Sequence, residues 1–332
     1  MNLHSFKKII NGEMELSELK AAAHQETLKH FGRTIQLYAP LYLSNECVNS
    51  CVYCGFNRRS GIKRSTLTVD QAVREAEYLR KEGFQHILIL TGEDPAKVPV
   101  SYIKEAVVEL KKMFASLSVE IYPLMEEGYS ELIKAGVDGL AIYQETYHRP
   151  TYQAVHQDGP KRDFGWRLEA PARGARAGMR KVGLGFLLGL YDWRYEAVRL
   201  AEHLQSLLKN HWQTQFQVSF PRINPAETNY RVKYPVSDDD FLRLVCALRL
   251  LFPEIGFTLS TRERAAFRDQ IFRFGITQMS AGSKTSPGGY ALAKKNGKQF
   301  EIADARTPRE VGRSLKLAGY EPVWKDWERV LG

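Results

Sequence analysis

Three of the chain's four cysteines fall within eight residues, as Cys47-Val48-Asn49-Ser50-Cys51-Val52-Tyr53-Cys54, and the fourth, Cys246, lies far downstream. The C-x3-C-x2-C spacing lets one loop wrap three thiolates around a single metal centre and leaves a fourth coordination position without a protein ligand. Structural zinc takes four protein ligands in paired, closed spacings, so zinc fits poorly. A [4Fe–4S] cube held by thiolates fits better: Cys47, Cys51 and Cys54 each take one iron and the last iron is left open for a small molecule. Disulfides are disfavoured because no secretory signal accompanies the cysteines. A redox-thiol role is the remaining alternative.

These thiols need a scaffold. Eight apolar, strand-like runs, at 35–44, 87–91, 119–123, 139–143, 182–190, 215–220, 256–260 and 277–281, each end in polar or glycine residues and each precede a helix candidate. Helix starts carry their usual signals: a capping box at Thr68-Val69-Asp70-Gln71, an acidic turn after Ser237, and cap, proline and glutamate at Thr307-Pro308-Arg309-Glu310. Apolar residues at helical spacing predict a leading helix over 17–31. Eight alternations of strand and helix predict an α/β fold, a (β/α)8 TIM-type barrel, over 35–319, with an N-terminal helical segment at 1–34 and a short tail at 320–332. Such barrels place their chemistry at the C-terminal ends of strands. The cysteines follow the first run, Thr91-Gly92-Glu93 the second, Gln144-Glu145 the fourth, Thr261-Arg262 the seventh, and the 283–290 loop the eighth.

Composition adds exclusions. At 332 residues, 44% hydrophobic and 26% charged, the chain can bury a large core. Residues 1–20 show no apolar export signal, and the longest apolar run, 182–191, is too short to span a bilayer. A cytoplasmic, reducing setting without a membrane partner is expected. The net charge of +9 raises the question of nucleic acid, but most Lys and Arg alternate with acids along helices, so no nucleic-acid partner is expected. One basic cluster, Arg58, Arg59, Lys63 and Arg64, directly follows the cysteines and reads either as a solvated loop or as a docking rim for an acidic electron donor.

The cysteine spacing, with an aromatic before Cys54, resembles the radical S-adenosylmethionine (SAM) superfamily. Within it, Pro40-Leu41-Tyr42-Leu43-Ser44-Asn45, Cys54-Gly55-Phe56, Thr91-Gly92-Glu93, Tyr143-Gln144-Glu145-Thr146-Tyr147-His148, Ser260-Thr261-Arg262-Glu263 and Pro287-Gly288-Gly289-Tyr290 resemble the 2-iminoacetate synthases, tyrosine lyases of thiazole (thiamine) biosynthesis. The resemblance runs from about Tyr38 to Trp327. It implies a [4Fe–4S] cluster and SAM as cofactors, L-tyrosine as substrate, 2-iminoacetate (dehydroglycine) and p-cresol as products, a flavodoxin- or ferredoxin-type reductant, and thiazole synthase as a further partner. The open iron would chelate the methionine end of SAM. Thr91, the Gly92 carbonyl and Glu93 would accept from its amine, Arg167 would fork onto its carboxylate and Glu145 would read the ribose. Each has a plain alternative: Glu93 as a helix-capping acid, Arg167 as a solvated helix residue, Glu145 as a surface charge.

For the substrate, Arg262 is the expected carboxylate anchor, with Ser260 and Ser280 beside it and Tyr42 lining the site. The alternatives are a structural salt bridge from Arg262 to Glu263 or Asp269 and a packing role for Tyr42. Gly183, Gly185 and Gly189 lie within a strand run and do not form a dinucleotide fingerprint; close backbone approach or tight barrel packing is expected of them. Cys246 sits in an amphipathic helix and reads as a buried thiol. The segment before Cys47 is shorter than the family usually carries and 224–234 does not follow the family pattern. A related hydrogenase maturase adds a cysteine-bearing C-terminal domain; no cysteine follows Cys246, so that downstream activity is not expected. The rivals are a tryptophan lyase of the same architecture, a nucleic-acid-modifying radical enzyme, and a non-catalytic iron–sulfur scaffold.

Overall fold

The structure, a computed structural model, describes residues 1–325. Eight parallel strands close on themselves: β1 (Thr34–Ser44), β2 (His86–Thr91), β3 (Ser116–Glu120), β4 (Gly139–Ala141), β5 (Lys181–Gly185), β6 (Gln215–Ser219), β7 (Gly256–Leu259) and β8 (Gln278–Ser280), with β8 returning to β1. Helices lie between successive strands, as parallel crossovers require. The expected capping boxes form at Thr68 with Gln71 and at Thr307 with Glu310.

β1 is the spine of the barrel. It is buried along almost its full length and pairs with β2 through Ala39–Tyr42 and with β8 through Gln36–Tyr38. Its register against β2 slips between Tyr42 and Ser44. A bulge there bends the strand and re-aims the chain just where the cysteine loop begins.

The ladders end earlier than the apolar runs suggest, by three residues or more in two places. β3 covers 116–120 rather than 119–123, since Pro123 has no N–H to give a ladder and Ile121 and Tyr122 are buried beyond the strand end. β5 stops at Gly185 rather than reaching 190. Phe186 to Leu190 stay buried, but only as single bridges from Phe186 to Glu145 and Leu188 to Arg222 before Gly189 turns at φ +112°. Burial without a ladder looks like a strand in sequence.

The segments outside the barrel pack against it. Two helices precede it, α1 (Leu3–Ile10), which the spacing did not reveal, and α2 (Leu16–Phe31). Phe6 and Ile10 join the main core, while Leu19 and Ala23 of α2 enclose Cys246, which is fully buried. Part of the expected tail is also a strand: β9 (Glu321–Val323) pairs in parallel with Thr34–Gln36 at the bottom of β1, and the Trp324 carbonyl accepts from Gln85 N–H at 3.0 Å. The rest of that tail, 326–332, which includes Trp327, lies outside the described residues.

Candidate active site

The cysteine loop leaves β1 and is fastened to β2. Gly92 must be glycine, because a Cβ there would come within 2.1 Å of the Glu46 carbonyl and 3.2 Å of Cys47 Cβ. Val48 N–H donates to the Glu93 carbonyl at 3.0 Å. On its other side the loop meets a long segment that crosses the barrel mouth after β8. Gly55 N–H donates to the Gln299 carbonyl, and a Cβ on Gly55 would lie 2.2 Å from the Lys298 carbonyl. The glycine of Cys54-Gly55-Phe56 therefore follows from steric need.

Cys51 is buried and Cys47 and Cys54 are partly buried; all are free thiols. Burial pushes all three up, Cys54 to about 11, with Glu93 adding to the effect at Cys47 and neighbouring thiols at Cys51 and Cys54. Among the described residues no three His, Cys, Asp or Glu side chains converge tightly enough for one metal ion. Three thiols on one loop that do not close on a point suit a cube better than a zinc ion.

Behind the loop lies a buried ionic network. Arg167 donates from Nη1 to Glu93 Oε1 at 2.7 Å and from Nε to the Tyr143 carbonyl at 2.6 Å, and its Nη2 stands 3.9 Å from Glu145. Asn49, inside the cysteine loop, donates to Glu93 Oε2 at 2.7 Å and lies 3.8 Å from Cys47 Sγ, while its Oδ1 accepts from Lys161 N–H. Lys161 Nζ reaches Glu145 Oε1 at 2.8 Å. Burial alone would raise the Glu93 carboxyl, but Arg167 and Lys161 outweigh it and hold Glu93 below its usual range. Glu145 sits at φ +69°, a left-handed conformation rare for a non-glycine residue, of the kind found where a site dictates the backbone.

The sequence treated Glu93, Glu145 and Arg167 as three separate contacts; the structure brings them into one network and adds Asn49 and Lys161. None of the plain alternatives for these three describes them, since all are largely buried and paired. Tyr53 is fixed by a 2.8 Å hydrogen bond to His156 Nε2, and His156 Nδ1 lies 2.9 Å from the Tyr152 carbonyl, so Nδ1 carries the proton and Nε2 accepts from the tyrosine. Burial keeps His156 neutral, well below its usual range.

Several buried polar atoms here lack partners among the described residues: Thr91 Oγ1, Ser50 Oγ and Gln144 Oε1. Buried polar atoms are normally satisfied, so polar atoms left over in the cysteine loop and at the ends of β2 and β4 are what a site for a polar group such as SAM would leave. The residues present therefore suit both a thiolate-held cluster and SAM. No hydrogen bond to the Gly92 carbonyl is among those described, while Gly92 N–H donates to the Ser44 carbonyl at 2.9 Å.

A cavity continues from the cysteine loop into the barrel, lined among others by Tyr42, Leu90, Glu120, Ser260, Arg262 and Ser280. Arg262 stacks on Phe300, its guanidinium carbon 3.3 Å from the ring centroid, and makes no side-chain hydrogen bond or ion pair among the described residues. The structural salt bridges are ruled out: Glu263 is held by Arg222 and Asp269 by Arg306. Burial pulls the Arg262 pKa down from its usual value. Ser260 Oγ accepts from Arg262 N–H at 3.3 Å and Ser280 Oγ from Thr261 N–H at 3.0 Å, so both hydroxyls brace the turn that carries Arg262. Tyr42 is buried and donates to Gln299 Oε1 at 2.6 Å, tying the strand to the crossing segment.

Sequence reasoning missed Asn49, Glu120, Lys161 and Phe300. Glu120 had a signal, since Ser116, Ser118 and Glu120 alternate with apolar residues and so share the barrel's inner face. Lys161 sits in a short 3-10 turn that carries no pattern. The basic rim is narrower than expected: Arg64 turns inward to the Asn45, Phe56 and Asn57 carbonyls, and Arg58 pairs with Asp158.

The comparisons agree with this geometry. The Radical SAM superfamily description matches residues 41–204, and the Biotin and Thiamin Synthesis associated domain matches 219–321. The chain is 45% identical to 2-iminoacetate synthase of Escherichia coli over 318 residues, and 44% to that of Salmonella typhimurium, in each case covering 96% of this chain and 84% of the relative. Among solved structures, HydG, a maturase of the [FeFe]-hydrogenase, superposes with a TM-score of 0.93 at 37% identity, over 98% of this chain and 73% of that one. The three thiols, the barrel that presents them and these likenesses together make the chain a member of the 2-iminoacetate synthase family of radical SAM enzymes.

Proposed function

We propose that this protein cleaves the Cα–Cβ bond of L-tyrosine, giving 2-iminoacetate (dehydroglycine) and p-cresol for thiazole and thiamine synthesis. The observation that carries the reading is Arg262, a cation stacked on Phe300 in the cavity beside the cysteine loop, with no partner of its own among the described residues. A guanidinium so placed calls for a carboxylate, and an arginine fork binds one in two places.

Cys47, Cys51 and Cys54 would hold a [4Fe–4S] cluster, which with SAM supplies the 5'-deoxyadenosyl radical that takes a hydrogen atom from the substrate amine. The protein's work is positioning. Arg262 holds the substrate carboxylate, braced by Ser260 and Ser280. Thr91 Oγ1, the Gly92 carbonyl and Glu93 border the amine end of SAM. Arg167 and Glu145, locked together with Lys161, shape the pocket for its carboxylate and ribose. Tyr42 and Tyr53 wall the space between. An acidic one-electron donor of flavodoxin or ferredoxin type would approach over Arg58, Arg59 and Lys63, and thiazole synthase would receive the unstable imine. Anaerobic incubation with SAM, dithionite and L-tyrosine should release p-cresol, detected by mass spectrometry. Release of 3-methylindole from tryptophan, with none of p-cresol from tyrosine, would transfer the reading to the tryptophan lyase.

A further inference from the structure

Among the described residues, an acid and a base face the cavity without a hydrogen bond or ion pair. Glu120 ends β3 and Arg262 follows β7, strands that stand four apart in either direction around the closed barrel, so the two side chains come from opposite walls. Among the described residues the Glu120 carboxyl makes no hydrogen bond or ion pair. Tyr38, Tyr42, Tyr143 and Arg262 are nonetheless near enough to interact with its charge. The other acids of the site differ: Glu93 and Glu145 are both held by cations. A secluded carboxyl with no partner is unfavourable for folding, so its presence is better explained by a ligand than by the fold.

We propose that Glu120 is a specificity-determining residue that hydrogen-bonds the ring hydroxyl of the substrate. This rests on the tyrosine reading above. The amine and carboxylate of an amino acid share one carbon, so with the carboxylate on Arg262 both lie at that wall. A rigid para-substituted ring then carries its hydroxyl away from Arg262 and toward the opposite wall, where Glu120 is the polar group at the end of β3. An ionised Glu120 accepts the O–H; a protonated one can donate in its turn. The remaining walls on this side, Leu88 and Leu90 of β2 and Tyr38 and Tyr42 of β1, give the ring faces and edges to pack on, and these contacts are the same for tyrosine and phenylalanine. Discrimination between the two therefore falls to Glu120, because phenylalanine would leave the carboxyl buried and unpaired.

The test is equilibrium binding of L-tyrosine, L-phenylalanine and L-tryptophan to the anaerobically reconstituted holoprotein with SAM and no reductant, for the wild type, Glu120→Ala, Glu120→Leu and Glu120→Gln. The wild type should favour tyrosine over phenylalanine by roughly ten- to a hundredfold, the range of one hydrogen bond to a charged group. Ala and Leu should each bring that ratio to near unity, by weakening tyrosine and by lifting the penalty on phenylalanine, and Gln, which still offers a carbonyl acceptor, should keep most of it. Leu fills the volume that Ala leaves empty, so an effect shared by both is not a packing defect. An unchanged ratio in Ala and Leu, or an equal loss for all three amino acids, overturns the proposal. A wild type that releases p-cresol but binds tyrosine and phenylalanine alike contradicts the role of Glu120 and leaves the lyase reading standing. Absence of p-cresol from the wild type contradicts the lyase reading itself.

Discussion

Arg262 and Glu120 are opposite cases of the same physics. Arg262 was visible in the sequence because it closes a strand run, where a barrel keeps its chemistry; what the sequence could not show was that Arg222 and Arg306 claim the nearby acids and leave it free. Glu120 was hidden, because the apolar residues Ile121 and Tyr122 drew the expected strand three residues onward and put the acid inside it. Burial, with Glu145 adding to it, raises the Glu120 carboxyl from 4.5 to about 7. An acid raised on folding binds its proton more tightly in the folded state, so its contribution to stability is present at low pH and is lost as pH climbs from about 4.5 to about 7. Glu120→Gln should therefore match the parent near pH 4.5 and exceed it at pH 8 by at most about 3 kcal/mol, read from urea unfolding. Glu196, raised to about 7 by burial, titrates in the same window in both proteins and cancels in the difference. A variant less stable than its parent at pH 8 would show that Glu120 has a structural partner after all. Arg167 has the opposite character. Arg167→Ala takes from the buried Glu93 its ion-pair partner and leaves it only the Asn49 hydrogen bond and the more distant charge of Lys161, so it should destabilise the fold by at most about 3–5 kcal/mol in addition to weakening SAM binding. Loss of SAM affinity at full stability would mean that Glu93 finds another partner.

Elements were easier to read than their ends. All eight barrel strands were legible because each apolar run is short, bounded by polar or glycine residues and followed by a capped helix. β9 was not, since three residues with a proline among them carry no periodicity, and α1 was missed for its brevity. The glycines of β5 separate two roles that sequence could only group. A Cβ on Gly185 would lie 1.7 Å from the Ser219 carbonyl of β6, while one on Gly183 meets nothing closer than 3.7 Å. Gly185→Ala should lower the unfolding free energy by roughly 3 kcal/mol or prevent folding, because backbone atoms on both sides must give way. Gly183→Ala should stay within about 1 kcal/mol of the parent. Equal effects at the two positions would mean that the β5–β6 contact is looser than described.

The molecule as a whole joins its cofactor loop to distant chain by single-point contacts: Gly92 against β1's continuation, Gly55 against Lys298, Tyr42 on Gln299. These long-range closures are why the site's outline could be read from strand ends while its depth could not. Among the described residues no helix is long and apolar enough to cross a membrane. Of the four basic residues that follow the cysteines, Arg58, Arg59 and Lys63 stay at the surface, since Arg64 is engaged internally. If a protein donor docks there, flavodoxin-driven turnover should fall steeply as salt rises through 0.1 M, where the screening length is about 10 Å, while dithionite-driven turnover should not. Equal salt dependence would make that loop a solvated surface only. The claim on which all of this depends is that Arg262 anchors the substrate carboxylate. Its most direct test is the ratio of p-cresol to 5'-deoxyadenosine formed in one anaerobic turnover, compared between the wild type and Arg262→Lys, which keeps the charge and loses the fork. The wild type should release the two in near-equal amounts, while the variant should still bind SAM and make 5'-deoxyadenosine slowly with almost no p-cresol; a variant with wild-type coupling would contradict the anchor.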